Sequence, residues 1–330
     1  CYNTGGEAPT NCDANVAMNR LGTTLAGGAR ELDRSLSLEA IDRVIGKPLG
    51  MSTEQAAHAI VQVANANMAD AVRLVSIRRG YDPRDFALIA FGGAGALHGA
   101  EVARELSIPT VVVPANPGVT SALGCLLVDI RHDLSLMFNA PANQVDPKDV
   151  EAEFAALEKE ASARLRHEGV ADEDALLQRE ISMRYAGQWR SLAVPMGQGP
   201  GALAQAVETF HQQHEKEFAF SQEDQPVEIY QLGLSAIGKT PKPGFVPATE
   251  LNADPGAPAS RREVYFGAEG WVDTPVYERS LLPAGATFEG PAIIDQLDST
   301  TVVPPNTTAE IDGWGNIRIH LHNLENSSEG

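Results

Sequence analysis

The residues from Phe86 to Val128, FALIAFGGAGALHGAEVARELSIPTVVVPANPGVTSALGCLLV, constrain the fold more than any other stretch. The apolar run Ala87 to Phe91 is too short for an independent helix and ends in a glycine cluster, the pattern of a strand buried on both faces. Gly92, Gly93 and Gly95 permit positive φ and close approach of the backbone to a neighbour. Ala96 to Leu106 then carries helical spacing with Glu101, Arg104 and Glu105 outward, and Pro109 closes it. Thr110 to Val113 is a second β-branched run, so the order is strand, glycine turn, helix and parallel strand. Such turns lie at the carboxyl edge of a sheet, where open α/β folds bind ligands.

Two familiar glycine loops do not match. A dinucleotide fingerprint needs glycine at position 98 and an acidic residue closing the second strand, and here stand His98 and the neutral Pro114-Ala115-Asn116. A P-loop is absent, and Gly46-Lys47-Pro48 lacks the hydroxyl that would hold magnesium. Two readings of the turn stay open. It is either a tight connection alone or a backbone cradle, and His98, one turn into a helix behind three glycines, favours a phosphate or carboxylate there. A lone histidine in this place is equally a hydrogen-bonded core residue.

The segment FGGAGALHGAEVARELSIPTVVVPANPGVTSALG closely resembles the hydantoinase A and oxoprolinase family, which includes N-methylhydantoinase A and the large subunits of ATP-dependent acetone and acetophenone carboxylases. Cys1-Tyr2, Gly5-Gly6, Pro9-Thr10 and Cys12-Asp13-Ala14-Asn15 are similar to that family's opening signature. Met183 to Gln188 resembles its MRYxGQ strand, and Glu289 to Ile294 with Thr300 to Pro305 resembles its GPAI and TTVVPP segments. The matches run in the family's order over nearly the whole chain.

The resemblance implies an α/β fold: an actin/Hsp70-like (ribonuclease H-like) nucleotide-binding lobe over residues 1–240, a linker over 241–262 and a small β-rich domain over 263–321. Residues 322–330 read as a disordered tail. It further implies ATP with Mg2+ or Mn2+, with Gly92, Gly93, Gly95 and His98 contacting the nucleotide and Thr10 and Asp13 facing the magnesium-nucleotide pocket. Asp13 equally reads as a helix cap. The family's chemistry is phosphorylation of an unreactive carbonyl, which opens a hydantoin or 5-oxoproline-like lactam; in the carboxylase branch it activates a ketone and bicarbonate, and a non-catalytic assembly subunit is the third reading. Positioning and electrostatics carry such transfers, so no Ser-His-Asp or Cys-His constellation is needed. The expected partners are a missing amino-terminal half of the same protein and a hydantoinase B-type subunit, since the chain opens at Cys1 inside a family signature.

Bulk properties agree with a conventional core: 330 residues, 43% of them apolar. A formal charge of -19 without clustered Lys and Arg argues against nucleic acid or an anionic membrane as partner. No apolar run approaches the ~20 residues of a membrane span. Cys1, Cys12 and Cys125 form neither a metal-type pair nor a disulfide framework, which points to a reducing cytoplasm. Cys125, among leucines, reads as a small core residue.

Along the chain, Leu38 to Ile45 predicts a short helix, and Ser52 with Gln55 a capping box opening a long one to about Arg79, with Arg73, Arg78 and Arg79 as a solvated end. Gly118 to Val128 predicts a further short helix. Residues 131–138 predict a half-buried strand, and Asp146-Pro147 a capped helix to about Gly169. Ile181 to Tyr185 and Leu192 to Val194 predict a hairpin with Gln188-Trp189-Arg190 at its tip, covering an edge or lining a pocket. Ala202 to Phe218 predicts an amphipathic helix whose His211, His214 and Glu215 lack the order of a zinc motif and read as solvated. Val227 to Ile237 predicts a strand, completing an α/β region with mixed pairing.

Overall fold

The computed structural model describes residues 1–77 and 80–322. Ala87–Ile89 and Thr110–Val113 pair in parallel with the helix Gly95–Glu105 between them, as the spacing predicts. The first strand is shorter than the apolar run and is not buried on both faces. It is the outer strand of a five-stranded sheet, and Ile89 and Phe91 are largely exposed. The helix packs Val102 and Ala103 with Val111 and Val113 on one side only, which leaves the other face of the edge strand open.

The chain divides into two compact units, residues 1–123 with 244–330, and residues 124–243. This division differs from the boundaries expected at 241–262. Ile317–Leu321 pairs antiparallel with Thr110–Val113, Ile319 opposite Val111, so the carboxyl-terminal strands complete the sheet of the glycine turn. That sheet runs Thr287–Glu289, Thr307–Ile311, Ile317–Leu321, Thr110–Val113, Ala87–Ile89. The linker stretch has no regular structure, but backbone bonds tie it to the same unit: Ala248 N–H donates to Gly313 O at 2.7 Å and Asn252 N–H to Ala284 O at 2.7 Å.

The first unit holds a second sheet, ordered Ser299–Val303, Ala292–Gln296, Trp271–Glu278, Ser260–Tyr265. Its helices include Asn11–Ala17, Arg34–Ile41, Thr53–Ser76 and Gly95–Glu105. The long helix has both halves of its capping box, Gln55 N–H to Ser52 Oγ at 3.2 Å and Ser52 N–H to Gln55 Oε1 at 3.0 Å. Its predecessor starts earlier than predicted, at Arg34, because Asp33 caps it by accepting from Ser35 and Leu36. Arg78 and Arg79, and residues 323–330 of the expected tail, lie outside the described residues.

In the second unit Ile130–Pro141, Val227–Gly238, Ala175–Tyr185 and Leu192–Pro195 form one sheet in that order, every pairing antiparallel. The predicted hairpin is there; mixed pairing is found not in this sheet but in both larger sheets of the first unit, where Ala87–Ile89 runs parallel to Thr110–Val113 and Trp271–Glu278 parallel to Ala292–Gln296. Pro147–His167 and Ala202–Phe218 bury Phe154, Leu165 and Phe210 against Ile181, Met183 and Leu232. Cys125 is exposed rather than core, because the helix Thr120–Leu127 buries none of its residues.

Candidate functional site

One short helix, Asn11–Ala17, presents two different environments. At its start Thr10 is extended and caps it, its hydroxyl accepting from Asp13 N–H at 3.3 Å. Asp13 stands at the third helical position, and its carboxylate accepts from Thr10 N–H at 2.8 Å, Thr10 Oγ at 2.6 Å, Ser37 Oγ at 2.9 Å and the Cys1 amine. Burial works to raise the Asp13 carboxyl, but the hydrogen bonds from Cys1, Thr10 and Ser37 prevail and hold it at about 2. Within the chain Thr10 and Ser37 supply three of these bonds, so Asp13 is tied to the start of its own helix and to the helix Arg34–Ile41. Thr10 and Asp13 line a crevice of about 390 Å³ formed largely by the first eight residues and the helix Arg34–Ile41.

A different cavity, about 550 Å³, lies at the glycine turn. Asn11, Cys12 and Asn15 enter it from the same short helix; Leu21, Leu25 and Gly27 from the ribbon that follows; Gly93, Ala94, Leu97 and His98 from the turn and helix; and Asp295 to Thr300 from a hairpin of the second sheet. Of the glycines nominated by sequence, Gly93 lines the cavity. Gly92 makes the bend, at φ +87 with its N–H donating to Pro117 O at 2.7 Å, while Gly95 opens the helix at an ordinary φ. Positive φ is thus needed at one of the three. Gly118 serves by close approach: its N–H donates to Asp298 Oδ2 at 2.9 Å, and an added Cβ would lie 2.3 Å from that oxygen.

His98 is 4% exposed and its ring is fully engaged. Glu101 is acceptor-only and takes a bond from Asn65 Nδ2 at 2.6 Å, so Asn65 turns its Oδ1 to His98 Nδ1, 2.8 Å away. Nδ1 therefore carries the ring proton, and Nε2 accepts from Asn11 Nδ2 at 2.7 Å. Burial, foremost, pushes the His98 pKa down; Glu101 opposes this and Arg20 adds to it. Arg20 Nη1 lies 2.8 Å from Glu101 Oε1, an ion pair by distance without hydrogen-bond alignment. His98 is a neutral link in a buried chain, with neither nitrogen free for a phosphate.

The chain of bonds leaves Asn11 Oδ1 without a partner. Asn15, 1% exposed, donates through Nδ2 to Asn11 O at 3.0 Å, and its Oδ1 is likewise unpartnered. Asp298 Oδ1 and Ser299 Oγ complete the set of unpaired polar atoms belonging to residues around the cavity. Asp295 is occupied, by Thr300 Oγ at 2.8 Å and by Arg262 at 3.4 Å. Among the described residues no Lys or Arg lines the cavity. These atoms are closed off from solvent and their missing partners cost stability; the cavity, with no lining cation among the described residues, suits a neutral group better than a phosphate. Sequence reasoning quoted Asn15 without assigning it a role and missed Asn11; two carboxamides four apart on one helix face were the available signal. Asp298 and Ser299 were missed too, although a polar turn between β-branched runs marks a hairpin tip.

Elsewhere, His211 and His214 are buried rather than solvated: Tyr185 OH lies 2.7 Å from His211 Nδ1, and His214 Nδ1 donates to Phe220 O at 2.8 Å. Trp189 is 94% exposed at the rim of a separate hollow of about 360 Å³ that Gln188 and Arg190 also line. The sulfurs of Cys1 and Cys12 are 3.6 Å apart, and burial pushes the Cys12 thiol up, so it stays protonated. Among the described residues no group of three or more His, Cys, Asp or Glu is arranged to hold a metal, and no helix is long and apolar enough to cross a membrane.

A family model described as hydantoinase/oxoprolinase matches residues 1–134, and one described as the hydantoinase/oxoprolinase C-terminal domain matches residues 140–323. An uncharacterised protein of Methanocaldococcus jannaschii is 39% identical over 97% of this chain and 45% of its own length. The caprolactamase subunit alpha of Pseudomonas jessenii is 35% identical over 94% of the chain and 46% of its own. The solved structure of the ATP-dependent caprolactamase from that organism matches with TM-score 0.75 at 32% identity, over 98% of this chain and 48% of that one. The nucleotide-free structure of acetone carboxylase, from work on ATP-dependent acetone carboxylation, gives TM-score 0.85 at 26% identity over 97% and 48%. The chain spans about half the length of each of these relatives.

Proposed function

The chain belongs to the hydantoinase/oxoprolinase family, and from that premise we propose that it is the part of an ATP-dependent cyclic-amide hydrolase that holds the nucleoside end of ATP. The observation that carries this reading is the cavity at the glycine turn, with apolar walls from Leu21, Leu25 and Leu97, polar edges from Asp295 and Asp298 and, among the described residues, no lining cation. A flat base suits the leucines, and ribose hydroxyls would donate to Asp298. The triphosphate would leave the cavity and meet cations supplied by the rest of a longer protein. Exposed Phe86, Ile89 and Phe91 beside the turn support a covering neighbour of that kind, since apolar side chains so grouped mark contact surfaces.

When bound, ATP would supply the phosphoryl group that makes the lactam carbonyl carbon electrophilic enough for water to add, so that the ring C–N bond breaks with the nitrogen leaving as an amine and phosphate is released by hydrolysis. Residues of this chain bind and orient the nucleoside and exclude water from the base. Mg2+ or Mn2+ belongs to the triphosphate in this reading. A second reading, a subunit of an ATP-dependent ketone carboxylase, is favoured by the higher TM-score to acetone carboxylase. A B-type subunit accompanies either, in the cytoplasm where ATP is at hand.

ATP turnover by the longer protein with its partner, assayed against cyclic amides and against ketones with bicarbonate, separates these readings. Phosphate release that requires a cyclic amide is the expected result. Release that requires bicarbonate and a ketone moves the assignment to the carboxylase branch, and release under neither condition leaves an assembly subunit. The chain alone, lacking phosphate contacts, is expected to show no turnover.

A further inference from the structure

We propose that the second unit holds a binding site for a linear carboxylate whose far end is a carboxamide, in a hollow of about 530 Å³ between the starts of its two helices and the segment Glu223 to Val227. The hollow lies wholly within residues 142–227 and has no part in the nucleotide reading. Leu203, Ala204, Val207 and His211 line it from the helix Ala202–Phe218, at spacings that share one helix face. From Leu203 to His211 the helix rises about 12 Å, so this wall suits an extended molecule with a polar group at each end.

The two ends differ. At the first, Gly201 precedes the helix without a side-chain cap. Ala202 N–H donates to Gly199 O at 3.2 Å and Gln205 N–H to Gly201 O at 3.0 Å, which leaves the N–H groups of Leu203 and Ala204 for an anion at the positive end of the helix dipole. The neighbouring helix Pro147–His167 starts at the same hollow, but Asp146 already caps it, accepting from Lys148 N–H at 2.9 Å. At the other end stands His211, 8% exposed. Tyr185 OH accepts from Gln222 N–H at 2.8 Å, and its own hydrogen has one acceptor in reach, His211 Nδ1 at 2.7 Å. The ring proton is therefore on Nε2, which has no hydrogen-bond partner among the described residues and, unlike the Asn11 and Asn15 oxygens, is not closed off. A donor so deep in a hollow calls for a carbonyl oxygen from a ligand. Glu223 and Asp224 follow Gln222 and so stand at this end, where they disfavour a second carboxylate and can accept from an amide N–H. Val145 and Val207 supply apolar wall for the methylenes between.

The test measures binding of adipamate, a carboxylate and a carboxamide joined by four methylenes, to the purified chain by calorimetry, beside hexanoate, which lacks the amide, and hexanamide, which lacks the anion. Adipamate is expected to bind at least about tenfold more tightly than either. Affinity equal to that of hexanoate removes His211 from the site, affinity equal to that of hexanamide removes the helix start, and absence of binding removes both; each result overturns the proposal. Ala204→Glu puts a carboxylate at the third helical position, which the helix favours, and is expected to weaken adipamate at least about tenfold with the melting temperature unchanged or raised. Undiminished affinity in that variant places the binding elsewhere and refutes the assignment. His211→Phe is expected to bring adipamate down to hexanoate while leaving hexanoate unchanged, and a preserved gap excludes His211. Should that variant fail to fold, the three-ligand comparison together with Ala204→Glu still decides.

Discussion

The two faces of the helix Asn11–Ala17 differ in one respect. Around Asp13 every polar atom has found a partner within the chain, whereas Asn11 and Asn15, on the same seven residues, each keep an oxygen that has none. Saturation is what a structural cap requires, because an ionised carboxylate in a buried place is tolerable only when its acceptor positions are filled. Incompleteness on the other face is a cost in stability, because those oxygens are closed off from solvent and have no donor. The contrast separates two parts of one short helix that look alike as sequence: one satisfies its buried polar groups and the other leaves two of them unpaired.

The largest expected effect breaks the saturated side. Asp13→Ala should cost about 3 kcal/mol of unfolding free energy, since it strands donors from Thr10 and Ser37, read as a fall in urea midpoint with unchanged slope. The pH dependence follows from the lowered carboxyl pKa. The group stays ionised in the folded chain down to about 2 and takes a proton earlier when unfolded, so its contribution is full above the ordinary carboxylate range and fades as pH drops from about 4 toward 2. Asp13→Asn should flatten that part of the profile.

A smaller effect sharpens the unsaturated side. Gly118→Ala should displace Asp298, costing about 1 kcal/mol in stability and weakening ATP binding roughly threefold to tenfold by calorimetry, because the new Cβ occupies the place of the carboxylate. His98 contributes through its neutral state. Its folded pKa is lowered, so below the ordinary histidine value the unfolded chain gains a proton that the folded one refuses. Stability should therefore decline as pH falls below about 6.5, and His98→Gln should lessen the decline. The smallest effect lies outside both faces: Trp189→Ala, at a side chain almost wholly in solvent, should shift the melting free energy by no more than about 0.5 kcal/mol and leave ATP binding alone.

Local features of this fold were legible in the sequence. The strand, glycine bend and helix follow from an apolar run meeting Gly92, and the Ser52 and Gln55 cap follows from spacing alone. Pairings between distant segments were not legible. Nothing within Ile317 to Leu321 announces that it lies beside Thr110 to Val113, since both are short β-branched runs that suit many neighbours, and register is decided by the assembled core. The same limit hid Asp298, which reaches the glycine turn from 180 residues away through Gly118. Burial of His211 and His214 was missed because polar neighbours on a helix suggest solvent, while Tyr185 and the Phe220 carbonyl wait on other elements.

The most direct measurement is photolabelling of the chain with 2-azido-ATP followed by peptide mapping, because the azide reports where the base lies. Adducts within residues 11–27, 93–98 or 295–300, suppressed by excess ATP, are the result expected if the glycine-turn cavity holds the nucleoside. Adducts confined to the Asp13 crevice or to residues 124–243 would contradict it.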